Sequence, residues 1–204
     1  MIDNALILLR DELIAYFERV NNPTDVVIEN IAFLNDAQSN ENLTDSVVIT
    51  LVNIEEESTL KNVSQYRRNP QGRIDYEQPP IFINLYLLLT ANFSGTRDGY
   101  LSALTRLSGI LKFFQNRQSF TLGNSPNSNV AQNAPADELD DLRGMKLLVE
   151  FHTLTFEQVN HLWGSLGGKQ IPFALYKARL VRLQDREAIE APLIEQIETN
   201  IHRK

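Results

Sequence analysis

Residues 81–91 constrain the fold more than any other part of the chain. They read Ile-Phe-Ile-Asn-Leu-Tyr-Leu-Leu-Leu-Thr-Ala, an apolar run interrupted only by Asn84 and Thr90. The run is roughly half of the ~20 residues that cross a bilayer as a helix. It follows Pro79 and Pro80, which can enter a strand but not occupy its centre. A buried β-strand over 81–92 is therefore expected. Residues 47–54 are β-branched almost throughout and run into Glu55, Glu56 and Glu57, so a second, mostly buried strand should emerge there into solvent or onto a partner.

Helical spacing frames these strands. Ile2, Leu6, Leu9, Leu13, Phe17 and Val20 recur at three and four and line one side of a helix, which Asn21, Asn22 and Pro23 should end because Pro23 disfavours helical dihedrals at the residue before it. Over 96–115, Tyr100, Leu104, Leu107, Leu111 and Phe114 repeat that spacing, with Leu101, Ile110 and Phe113 widening the apolar side. Further strands are expected over 25–34, 120–122, 146–154 and 171–181. Thr155 and Gln158 fit a reciprocal capping pair that opens a short helix bearing Val159, Leu162 and Trp163, which Gly164 and the Gly167–Gly168 pair should stop.

The remaining segments read as connections. Residues 35–45 are polar; 61–78 form a long, basic, mobile loop; 123–135 are rich in Asn, Ser, Pro, Gly and Ala and read as a flexible excursion without chemistry of its own. The fold class is α/β (α+β), a mixed β-sheet flanked by helices. A domain over 1–183 would be followed by a charged tail over 184–204 in which Leu193, Ile194, Ile197 and Ile201 keep helix-compatible spacing. Strand order and direction are not encoded in such spacing.

Composition removes whole classes of function. With 43% apolar and 22% charged residues in 204, the chain can bury a core, and with no cysteine it can form no thiolate metal site, disulfide or thiol nucleophile. Asp3, Asp11, Glu12 and Glu18 contradict the basic start and apolar run of an export signal, so synthesis in the cytoplasm is expected, with no direct membrane insertion. Charge is sorted along the chain. Residues 1–60 carry 12 acids and 2 bases, 61–120 carry 3 and 8, and 121–204 carry 11 and 9. Such sorting suits complementary contact between neighbours better than nucleic-acid binding, which asks for a dominant basic face.

Motifs for catalysis fail on inspection. Gly164-Ser165-Leu166-Gly167-Gly168-Lys169 evokes a phosphate loop, but Trp163 stands where the first glycine belongs and Gln170 where the hydroxyl belongs. His152, His161 and His202 lack the spacing of a zinc hydrolase, and no Gly-x-Ser-x-Gly turn is present. Glu55 and Glu57 could share a strand face, though a solvated strand end explains them better than a glycosidase pair. Arg67, Arg68 and Arg73 beside Tyr66 and Tyr76 are too few to make a single-strand grip. No residue is assigned a catalytic, cofactor-binding or metal role.

Several ordered blocks carry a family resemblance. They are 47–57 (Val-Val-Ile-Thr-Leu-Val-Asn-Ile-Glu-Glu-Glu), Leu60-Lys61-Asn62, 79–88, and Leu111-Lys112-Phe113-Phe114-Gln115. The strongest runs from Phe156-Glu157-Gln158 through Leu162-Trp163-Gly164-Ser165-Leu166-Gly167-Gly168-Lys169 to Pro172 and Tyr176–Val181. In this order they resemble the cap or tail-terminator proteins of phage-tail-like extracellular contractile injection systems. The resemblance implies a structural subunit without enzymatic activity or cofactor, a mixed sheet flanked by helices, and a six-membered ring that closes the inner tube and contacts the last sheath layer. It also implies a component of an assembled particle. Some relatives carry an additional C-terminal domain for which these 204 residues leave no room. A tail-assembly adaptor or chaperone acting transiently is the alternative.

A ring needs two unlike patches on each copy, and the acidic first third and basic middle supply them. The expected interface residues are Glu55, Glu56, Glu57, Arg67, Arg68, Arg73, Trp163, Gly164, Gly167, Gly168, Lys169, Leu193 and Ile197. Trp163 either anchors that interface or fills the core.

Overall fold

A computed structural model describes residues 1–35, 43–57, 66–68, 74–76, 81–93, 98–135, 139–183 and 189–190. Along the chain lie α1 (Ile2–Arg19), β1 (Asp25–Ile28), a 3-10 turn (Ile31–Asn35), β2 (Ser46–Glu56), β3 (Tyr66–Arg68), β4 (Ile74–Tyr76), β5 (Ile81–Asn92) and α2 (Gly99–Asn116). There follow β6 (Ser119–Thr121), a second 3-10 turn (Leu122–Asn124), α3 (Val130–Asn133), α4 (Leu139–Gly144), β7 (Lys146–Phe151), α5 (Phe156–Ser165), β8 (Phe173–Leu183) and β9 (Ile189–Glu190).

Six strands form one mixed sheet in the order β1-β2-β5-β8-β7-β6. β1 runs parallel to β2, and every other neighbouring pair is antiparallel. The apolar run of β5 is explained by its position. It lies between β2 and β8 and alternates Leu85, Leu87 and Leu89 into one core with Leu88 in the other. The larger core packs Ala5, Leu9, Leu13 and Phe17 of α1 and Ile110, Phe113 and Phe114 of α2 on the front of the sheet. The smaller core packs Trp163 of α5 with Ile31, Leu43, Val48, Leu88 and Leu175 on the back. The expected mixed sheet flanked by helices is therefore present.

Four expectations require correction. The strand expected over 25–34 stops at Ile28, where the chain turns into the 3-10 segment. Part of the 61–78 loop is a hairpin. β3 and β4 pair Tyr66 with Tyr76, Arg67 with Asp75 and Arg68 with Ile74, and β9 of the expected tail adds to β4. The apolar side of α2 is narrower than the one expected: Leu107, Ile110, Phe113 and Phe114 pack on the core, joined by Ala103, whereas Tyr100, Leu101, Leu104 and Leu111 are exposed. Gly109 lets α1 and α2 approach there, since a Cβ on it would stand 2.7 Å from Cε1 of the fully buried Phe17.

The fourth correction is the excursion over 123–135, which is anchored. Asp11 and Glu12 of α1 are buried. Glu12 Oε1 accepts the Asn127 amide at 2.9 Å, and Asp11 Oδ2 accepts the Asn129 amide at 3.1 Å. Arg117, at the end of α2, pairs with Glu12 Oε2 at 3.1 Å and donates to the Asn124 carbonyl and to Ser125 Oγ. Its guanidinium also lies 4.1 Å from the centre of the Phe120 ring. Two buried carboxylates thus satisfy backbone amides that a polar loop would otherwise leave to water.

Candidate assembly interface

A bulge in β2 places the acidic run. Leu51 pairs with Leu87 but Asn53 pairs with Tyr86, so Val52 is an extra residue and the alternation of faces reverses beyond it. Glu55 consequently opposes Asn84 on the back of the sheet. Without the inserted residue the same side chain would point to the front, toward the helices.

Glu55 and Glu57 do share a face, and both have partners within the chain. Tyr86 donates its hydroxyl to Glu55 Oε2 at 2.8 Å, and Asn53 Nδ2 donates to Glu55 Oε1 at 3.2 Å. Asn84 Nδ2 donates to Glu57 Oε2 at 3.1 Å, while Arg179 Nε lies 3.6 Å from the same oxygen. Glu55 and Glu56 are exposed and Glu57 is half-buried. Beside them, His152 meets Tyr86 edge-on with ring centres 5.2 Å apart. The cluster is a polar end to a sheet whose other end is covered by α5.

The hydrogen bond to Glu55 raises the Tyr86 pKa above the usual phenol value, with burial and the charges of Glu55 and Glu57 adding to it. Because the folded value is the higher one, the contact's stabilisation is complete below the ordinary phenol range and is lost as pH rises through the raised folded value. Spectrophotometric titration is expected to show Tyr86 ionising late and Glu55→Gln returning it toward the usual value. Tyr176, pushed up to about 12 by burial alone, should not move in that variant. An unchanged Tyr86 profile in Glu55→Gln would reject the hydrogen bond as the cause.

The aromatic and glycine residues divide differently. Trp163 is buried, and its ring meets Phe173 edge-on at 5.4 Å in the back core. Within the chain it fills the core, together with Val48, Leu88 and Leu175. Thr155 and Gln158 make the reciprocal cap at the start of α5. At its end Gly167 and Gly168 have φ of 99° and 80°, and the Gly168 amide donates to the Trp163 carbonyl at 2.7 Å. That wrap closes the helix as the glycines predict. Gly164 has open space where a Cβ would lie, and Lys169 is exposed just past the turn.

Arg67 and Arg68 lie on β3. Arg73, Leu193 and Ile197 lie outside the described residues. Sequence reasoning missed a second surface: Phe156 is 97% exposed at the first turn of α5, and Phe151 is 58% exposed at the end of β7. Phe151, Leu111, Phe114 and Tyr176 line a groove of about 300 Å³ between β7 and α2. A cleft of about 580 Å³ also opens beside Glu12, Tyr16, Phe113 and Arg117, and the Glu12–Arg117 charges on its wall are paired with each other.

Residues 7–196 match the Pvc16 N-terminal domain family. The chain belongs to that family. The likeness to cap and terminator proteins of contractile injection systems, read from the ordered blocks, is thereby borne out. Among solved structures, a PVC sheath/tube terminator of an extracellular contractile injection system in its extended state matches with a TM-score of 0.56 at 17% identity. The match covers 100% of this chain and 64% of that one, so this Pvc16-type chain spans less than two thirds of the terminator's length. At that identity the likeness is one of fold. The tube-terminating cap of the anti-feeding prophage matches with a TM-score of 0.48 at 14% identity, over 76% of this chain and 49% of that one. No curated protein matches the sequence.

Proposed function

We propose that this Pvc16-type chain is a structural terminator of a contractile injection system. Six copies form a ring that closes the inner tube and meets the last sheath layer. The observation that carries this reading is the family match over 7–196, joined to a fold shared along the whole chain with a PVC sheath/tube terminator. The role is assembly without chemistry, and the subunit ends its life as part of a particle.

The surfaces suit that role. A ring closes through a heterologous contact, in which one patch meets a different patch on the next copy. The acidic end of β2, with Glu55, Glu56 and Glu57, offers one patch. The basic stretch holding Arg67, Arg68 and Arg73 offers the other, with Gly164 in the last turn of α5 and Gly167, Gly168 and Lys169 just beyond it as further contacts. Opposite charge there sets register and excludes wrong partners more than it adds affinity. Termination follows when one face of the ring imitates a tube or sheath layer closely enough to dock while the other presents no edge for the next layer.

Mass measurement of the purified chain tests the ring. A stable hexamer is expected; a persistent monomer would favour an adaptor that meets the particle only during assembly. Deleting 184–204 together with 61–78 should weaken ring formation while the six-stranded sheet stays folded. Particles imaged from cells lacking the gene should have abnormally long or unstable tails, and normal tails there would end the proposal.

A further inference from the structure

We infer that the groove between α2 and β7 receives the segment 191–204 of a neighbouring copy, with Leu193 and Ile197 entering it. The inference rests on the ring reading. It begins from an anomaly on α2. Tyr100, Leu104 and Leu111 stand at intervals of four and seven on one flank of the helix and are exposed, while Leu107 between them packs against the core. At Leu111 this flank meets the groove of about 300 Å³, whose other wall is Phe151 and whose floor includes Phe114, Val149 and Tyr176.

The wall at Phe151 is an open sheet edge. β6 pairs with β7 from Lys146 to Leu148, and the Val149 amide donates to the Gln118 carbonyl. Among the described residues no strand continues outside Glu150 and Phe151, because α2 ends at Asn116 before the chain can reach them. An apolar flank, an apolar groove and an unpaired edge therefore coincide at one corner. Such a surface fits an amphipathic segment that presents a few aliphatic anchors at helical spacing.

Residues 191–204 have these properties. Fourteen residues follow Glu190, and Leu193, Ile194, Ile197 and Ile201 recur among them at three and four. Charge agrees with the pairing over the first ten residues of the segment. From Gly99 to Thr121 the chain carries Arg106, Lys112 and Arg117 and no acid, residues 191–200 carry Glu195 and Glu198 and no base, and the bases Arg203 and Lys204 follow Ile201. Donation to the next copy is what a ring requires, since each subunit then offers one groove and one segment and the contacts are complete only on closure.

The absence of cysteine makes the test clean. Full-length Leu111→Cys and Ile197→Cys chains are co-expressed and oxidised, with Glu18→Cys on α1 replacing the groove variant as control. Disulfide-linked pairs between the Leu111→Cys and Ile197→Cys chains, absent with Glu18→Cys and lost on reduction, are expected. Phe151→Ser, added to the Leu111→Cys chain, should reduce the linked product severalfold. Hexamers that form without the link would overturn the inference and leave the ring standing. A link found only inside single chains carrying both cysteines would exclude the neighbour as donor. Chains that remain monomeric would overturn both readings, and the mass separates that outcome from the others.

Discussion

Replacing Glu12 by alanine is expected to cost about 3 kcal/mol of stability, measured by urea unfolding. Removing one partner of a buried pair leaves the other charge uncompensated, and that loss runs to about 3–5 kcal/mol when both partners are deep. Arg117 is partly solvated, with 29% of its side chain exposed, which places the expectation at the lower end. The Asn127 amide also loses its acceptor. Glu12→Gln keeps an oxygen for that amide and gives up the charge, so it should fall between parent and alanine. Hydrogen exchange supplies the local readout: the Asn127 and Asn129 amides should exchange faster in Glu12→Ala than in the parent. A change below about 1 kcal/mol, the range of ordinary exposed ion pairs, would show that the anchor does not hold the loop.

The second large effect is expected at Trp163. Truncation to alanine should remove about 3–5 kcal/mol, the usual range for a buried aromatic whose cavity relaxes only in part. The indole bridges α5 to Val48, Leu88 and Leu175, so its loss should loosen the helix from the back of the sheet. Phe156 is the natural contrast because it lies on the same helix and is almost wholly exposed. Phe156→Ser should change stability by no more than about 0.5 kcal/mol. Equal losses at the two positions, again by urea unfolding, would contradict the division between a core aromatic and a surface aromatic. An exposed phenylalanine that contributes little to the monomer has its apolar face free for an assembly contact.

This division bears on the proposed ring. Of the acidic run, Glu57 is already engaged by Asn84 and Arg179, and Glu55 by Tyr86. Their first effect is to finish the end of the sheet. Any charge contact they add across a subunit boundary is shared with those partners, which favours orientation over strength. Apolar burial at the α2 and β7 corner is the stronger candidate for affinity.

What could be read from the residues alone was what lies within one or two turns of chain. The apolar run of β5, the β-branched run of β2, the side of α1 that carries Leu6, Leu9, Leu13 and Phe17, the Thr155–Gln158 cap and the Gly167–Gly168 stop all appear where local pattern puts them. Each depends on neighbours a few positions away, through side-chain direction, dihedral preference or a reciprocal hydrogen bond. The family, too, was visible in short ordered blocks.

Long-range pairing settled the remainder. Spacing assigned α2 one wide apolar side running from Tyr100 to Phe114, but Phe17 and the sheet determine that Ile110 and Phe113 turn inward while Tyr100 and Leu111 stay out. The bulge at Val52 exists only against β5, and it alone sends Glu55 to the back. Glu12 meets Arg117 across 105 positions, and β9 meets β4 from the far end of the chain. No local signal announces such contacts, because the energy that selects them is burial and hydrogen bonding between segments that become neighbours only when the whole sheet has formed.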